Sequence, residues 1–191
     1  VKDLGTNTIR YSVPWYKSNP SPGKYDWDWI AGPLDWLMEN GVTPVVDLIH
    51  YGTPTWMDNG FINSQFQERF AEYAYAFARR FDDLVDHYTP MKEPQSLARK
   101  SGYEALWPPY LQGADGAFTI GFALAKAIVL ASNALRDTCA DCCLISSDCN
   151  FRPALYERLA MEAGLPGLEL GSTVYHRLFP ASLAYGKILP E

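Results

Sequence analysis

The chain is predicted to be an α/β fold on a parallel sheet, and three observations carry that expectation. Strand-like and helix-like segments alternate strictly along it. The stretch "VTPVVDLIH" (42–50) is a nearly continuous apolar run, as a strand covered on both faces requires. Residues 67–88 place Phe70, Tyr73, Ala74, Phe77, Ala78, Phe81, Leu84 and Val85 at helical spacing, with Glu68, Arg69, Arg79, Asp82 and Asp83 off that stripe.

Each element follows from local signals. "TNTIRYSV" (6–13) is short and rich in β-branched residues, hence a strand. "DWIAGPLDWLMENG" (28–41) is a helix closed by Gly41, with Pro33 marking an early turn or kink. The strand 42–50 and the helix 67–88 follow, then a short strand, "YTPMKE" (88–93). "SGYEALWPPYLQGADG" (101–116) reads as a loop, longer than most between a strand and a helix, and long loops in compact domains are often functional. Residues 117–138 are a helix, with Phe118 and Phe122 in its core face, "ADCCLISSD" (140–148) a strand and "PALYERLAMEAG" (153–164) a shorter helix. The expectation is one domain over 1–191, its parallel strands joined by right-handed crossovers. An open doubly wound sheet and a closed (β/α)8 barrel compete. No glycine-rich phosphate loop follows a strand, which weakens the nucleotide-binding version of the first.

With 16 basic and 22 acidic residues the chain carries a net charge of −6, and it has no Lys/Arg run, which argues against a nucleic-acid partner. Its six tryptophans and twelve tyrosines suit sugar sites and cores alike. No membrane span is expected, because the longest apolar segment, "GAFTIGFALAKAIVLASNAL", is broken by Lys126 and reads as a buried helix. Cys139 and Cys142 have C-x-x-C spacing, but Cys143 and Cys149 do not repeat it and no histidine is near. Buried free thiols in a reducing, cytoplasmic compartment are therefore expected, with no metal and no cofactor. The opening "VKDLGTNTIRYSV" looks like a helix tail running into a strand, so the first residue is expected to be a cut.

Each expected strand ends on a polar group: Arg10 and Ser12, then His50, then Glu93, then Asp148. A parallel sheet gathers such ends on one face, the face that carries the active site in barrels. Each residue also has a structural explanation. Arg10 pairs with a carboxylate, His50 is a satisfied core histidine, and Asp148 caps a helix or turn. Glu93, between Lys92 and Pro94, is either part of a solvated loop or a buried carboxylate that needs partners.

Taken in order, "TIRYSVPWYKSNPSPGKYDWDWI", "GVTPVVDLIHYGTP" and "YTPMKEP" resemble family 1 glycoside hydrolases, the β-glucosidase-like (β/α)8 barrels, over about residues 1–150. Arg10, Ser12 and Trp15 match an Arg-x-Ser-x-x-Trp strand. Pro22-Gly23 matches a Pro-x-Gly turn in part, and His50-Tyr51-Gly52-Thr53-Pro54 matches His-Trp-Asp-Leu-Pro loosely. Lys92-Glu93-Pro94 stands where the family has Asn-Glu-Pro. The resemblance implies a partial barrel of about strands two to six and a carbohydrate or glycoside substrate. It implies that Glu93 is the general acid/base, that His50 binds a sugar hydroxyl, and that Arg10 sits beneath the site and keeps the nucleophile ionised. Trp107, with Pro108, Pro109 and Tyr110, would offer a platform for the leaving group.

Two departures qualify this. Retaining hydrolysis needs a second carboxylate about 5–5.5 Å from the first. Glu157, Glu162, Glu169 and Glu191 all lack the family's nucleophile context, so the nucleophile is expected outside the chain. Lys92 replaces the asparagine that in the family contacts the substrate 2-hydroxyl; it lacks an amide's acceptor and favours an ionised Glu93. The alternative is a non-catalytic carbohydrate-binding or regulatory relative. A third is another barrel hydrolase, acting on larger glycans.

Overall fold

The computed structural model of the protein describes residues 2–148. The helix expected over 153–164, the stretch 165–191, the four carboxylates in them and Cys149 lie outside the described residues. Two compact units are present, one of residues 2–92 with 127–147, the other of 93–126 with Asp148.

The first unit is built on a four-stranded sheet: β1 (Thr8–Ser12), β2 (Thr43–Ile49), β3 (His87–Met91) and β4 (Cys143–Leu144). All pairs are parallel and the order is β1-β2-β3-β4. The register sets Ser12 opposite Asp47, and Asp47 opposite Thr89. Strands that neighbour each other strictly in chain order leave no switch point, which is the order of a barrel wall and not of a doubly wound sheet. β4 is far shorter than the expected 140–148. It meets β3 only at His87 and Tyr88, and Lys92 adds a single bridge to Ser147.

Helix α1 (Trp15–Ser18) follows β1, α2 (Asp28–Glu39) precedes β2, and α3 (Phe66–Arg80) precedes β3. α2 runs through Pro33 instead of turning there, with Ile30, Leu34 and Leu37 buried on either side of it. It ends as a Schellman motif. Val42 N–H bonds Leu37 C=O at 2.9 Å and Gly41 N–H bonds Met38 C=O at 3.0 Å. The motif needs a left-handed residue, and Gly41 has φ 68°.

α3 stops at Arg80, eight residues short of the expected end at 88. Phe81 and Val85 are still buried, and Val85 N–H still bonds Phe81 C=O at 2.9 Å, so a turn carries the helical spacing past the helix. His87 and Tyr88 consequently belong to β3. The stripe on α3 is core, as expected, and Trp15 packs into it. The Trp15 ring centroid lies 5.4 Å from Phe70 and 5.5 Å from Tyr73, and its Nε1–H bonds Asn19 at 3.0 Å.

The second unit begins with α4 (Pro94–Leu97) and a π-helical segment, Ala98–Tyr103. The expected loop 101–116 is therefore cut from both sides, since α5 (Gly113–Thr138) starts four residues earlier than the pattern indicated. Two glycines read as loop signals are packing devices instead. A Cβ on Gly102 would sit 2.5 Å from the carbonyl oxygen of Gly116, so the two backbones touch where no side chain fits.

α5 is long and apolar enough to cross a membrane by length and composition alone, so Lys126 does not break the segment as expected. Its buried face includes Ile120, Leu124, Ala125, Ala127, Ile128, Ala131 and Leu135, a stripe at helical spacing as in a core helix. Phe122, expected in the core, is 48% exposed because it falls off that stripe. The free thiols Cys139 and Cys142 are half-buried and Cys143 is exposed, not buried as expected, because they lie at and beyond the end of α5 and on a short edge strand.

Candidate active site

The C-terminal ends of β1, β2 and β3 bring a polar chain together. Asp47 is wholly buried in β2, an acid inside an apolar strand, and a buried charge needs partners. Arg10 Nε approaches Asp47 Oδ1 at 3.1 Å, and Arg10 Nη2 reaches Thr89 Oγ1 at 3.5 Å. Ser12 Oγ donates to Asp47 Oδ2 at 3.1 Å or faces His50 Nδ1 at 2.5 Å. His50 Nδ1 lies 3.5 Å from Asp47 Oδ2, and its Nε2 lies 3.3 Å from Lys92 Nζ. Tyr51 meets the imidazole edge-on at 4.8 Å, and the Lys92 ammonium sits over the Tyr51 ring at 5.2 Å.

The donors assign the ring. An ammonium only donates, so Nε2 offers Lys92 its lone pair and Nδ1 carries the hydrogen toward Ser12 and Asp47. Burial pushes the Asp47 carboxyl above its ordinary range, with the Arg10 charge, the Ser12 hydroxyl and His50 each pulling it back.

Arg10, His50 and Lys92 are thus brought together, and Ser12 joins them. Asp47 is the member that the sequence reading missed. Its signal was the lone carboxylate in "VTPVVDLIH", which is the partner that Arg10 needed.

Glu93 follows Lys92 and belongs to the second unit, half-buried at the position before α4. Its backbone is left-handed, φ 46° and ψ 57°. For a residue with a Cβ that conformation costs on the order of 1–3 kcal/mol, and such strain clusters at functional sites. Pro94 opens α4, and Leu97 N–H bonds Glu93 C=O at 3.1 Å. Asp148 Oδ2 accepts from Gln95 N–H at 3.4 Å, so that carboxylate serves a helix start. Trp107 is half-buried with Lys100 Nζ over its ring at 5.1 Å, and Arg99 pairs with Glu104 at 3.1 Å. No group of three His, Cys, Asp or Glu among the described residues is arranged to hold a metal ion.

Known proteins resemble this arrangement. The sequence profile of glycosyl hydrolase family 1 matches residues 1–154. Beta-glucosidase 25 of Oryza sativa subsp. japonica is 28% identical over 105 residues, which are 51% of this chain and 21% of that protein. The bifunctional beta-D-glucosidase/beta-D-fucosidase of Bifidobacterium breve is 32% identical over 111 residues, 53% of this chain and 24% of that protein. The family 1 b-glucosidase from Thermotoga maritima, solved with isofagomine lactam, superposes with a TM-score of 0.70 at 26% identity, covering 75% of this chain and 34% of that one. The chain spans about a fifth to a quarter of the length of these curated relatives. A parallel sheet in strict chain order, a profile match over most of the length and a shared barrel architecture agree: the chain belongs to glycosyl hydrolase family 1, as part of its (β/α)8 barrel.

Proposed function

We propose that this chain supplies the acid/base side of a retaining β-glycosidase site of the β-glucosidase type, acting on a glycoside substrate. The observation that supports it most is the gathering of Arg10, Asp47, Ser12, His50 and Lys92 at the ends of three adjacent parallel strands, with Glu93 next in the chain. In this reading Glu93 protonates the leaving sugar oxygen and later takes a proton from water. The nucleophilic carboxylate comes from a later strand of the complete barrel. Arg10, already paired with Asp47, lies beneath the site. Trp107 flanks the leaving group.

Lys92 changes the recognition of the sugar. While its ammonium occupies His50 Nε2, the imidazole has no hydrogen there to give a sugar hydroxyl, and Lys92 becomes the donor. The non-catalytic relative remains the second reading, favoured by this same replacement of an amide by a cation. The two separate in a full-length family 1 protein carrying this chain, assayed on an aryl β-glucoside. The hydrolase reading expects measurable turnover that rises several-fold in Lys92→Asn, which frees His50 Nε2 and restores the amide. No turnover in either protein would leave the binding relative.

A further inference from the structure

Beside His50, within the first unit, opens a cavity of ≈ 370 Å³. Trp15, Tyr16, Trp29 and Tyr51 contribute aromatic walls, and Lys17 and His50 contribute nitrogen groups. Two of these rings are kept at the surface: Trp29 is 52% exposed and Tyr16 is 48% exposed. A concave aromatic lining with a few polar groups is the usual make-up of a small-molecule site. The Lys17 ammonium is held over the Trp29 ring at 4.7 Å, which fixes a positive charge in the lining.

The charge of the lining runs against the charge of the chain. Acids outnumber bases by 22 to 16 overall, yet none of the residues lining this cavity is an acid. The nearest carboxylate in the polar chain, Asp47, is buried and already faces Arg10, Ser12 and His50. On the other nitrogen of His50 stands a further ammonium, Lys92. A neutral sugar takes only hydrogen bonds from these cations, whereas a carboxylate on the ring adds an ion pair.

We infer that the cavity is a subsite for a sugar ring bearing a carboxylate, with Lys17 pairing the acid and the aromatic walls taking the ring. This deepens the proposed function, resting on its carbohydrate substrate and adding the acidic class. Binding is measured by calorimetry in the full-length protein carrying this chain, with glucuronate, glucose and inorganic phosphate as separate ligands. Glucuronate is expected to bind about two- to fivefold tighter than glucose, phosphate to bind no better than glucose, and Lys17→Met to erase the glucuronate advantage. Lys17 is exposed, so Lys17→Met leaves the fold intact, which an unchanged denaturant midpoint checks.

Equal affinities for glucuronate and glucose, or a Lys17→Met protein that still prefers glucuronate, would overturn the inference. So would phosphate binding as well as glucuronate, which marks a bare anion site. Glu93→Gln separates the two proposals. If it keeps Lys17-dependent glucuronate binding and also keeps hydrolysis, the acid/base reading fails and the subsite stands. If it abolishes hydrolysis in a protein without glucuronate preference, the reverse holds.

Discussion

Asp47 lies wholly buried with Arg10 Nε 3.1 Å away, and burial still raises its carboxyl above the ordinary range. The sign of the consequence is definite. A raised acid favours the folded state below the ordinary carboxylate range, about pH 4, and that contribution is lost as pH rises through the raised value. Asp47→Asn removes the titration and keeps a polar group against Ser12. Urea midpoints taken from pH 4 to pH 8 are expected to show Asp47→Asn gaining on the parent protein as pH rises. A gap that shrinks with pH would mean that the Arg10 pair outweighs burial. At this scale much of the site was legible. Arg10, Ser12 and His50 were each singled out because polar groups closing apolar strands need a reason, and Lys92 because it stands where the resembling family has an asparagine. Asp47 was missed because the reading attended to strand ends, and this acid sits two residues inside one. The tautomer of His50 was not legible at all, since it depends on which side chains face each nitrogen.

Among the elements, the strands and the stripe of α3 were readable because both periods are written directly in apolar spacing. Boundaries were not. The turn after α3 reuses the i, i+4 spacing of Phe81 and Val85, so the helix looked longer than Phe66–Arg80. Gly102 and Gly116 have the composition of a loop and the role of a close backbone contact, so a π-helical segment and the first turn of α5 were read as loop. The short α1 was also unread. Its importance is packing, for it begins with Trp15, fully buried against Phe66, Phe70 and Tyr73. Trp15→Ala is expected to destabilise the fold by about 3–5 kcal/mol, read as a fall in the denaturant midpoint. A loss under about 1 kcal/mol would show that this cluster is not the centre of the core.

For the molecule as a whole, strand order was the decisive observation. Alternating strands and helices left two architectures open, and only the pairing β1-β2-β3-β4, with no reversal, selects the barrel wall. Periodicity cannot supply that, because each strand reads the same in either sheet. The resemblance supplied it early, because the family that carries those motifs is a (β/α)8 barrel. The central claim is that Glu93 is the acid/base of this barrel. Its most direct test compares Glu93→Gln with the parent in a full-length protein carrying this chain, on aryl β-glucosides of graded leaving-group acidity. The account predicts a loss of roughly 10²–10⁴-fold on the most basic leaving groups, which need protonation, and a far smaller loss in glycosylation on the most acidic. An equal loss across the series, or none, would contradict it.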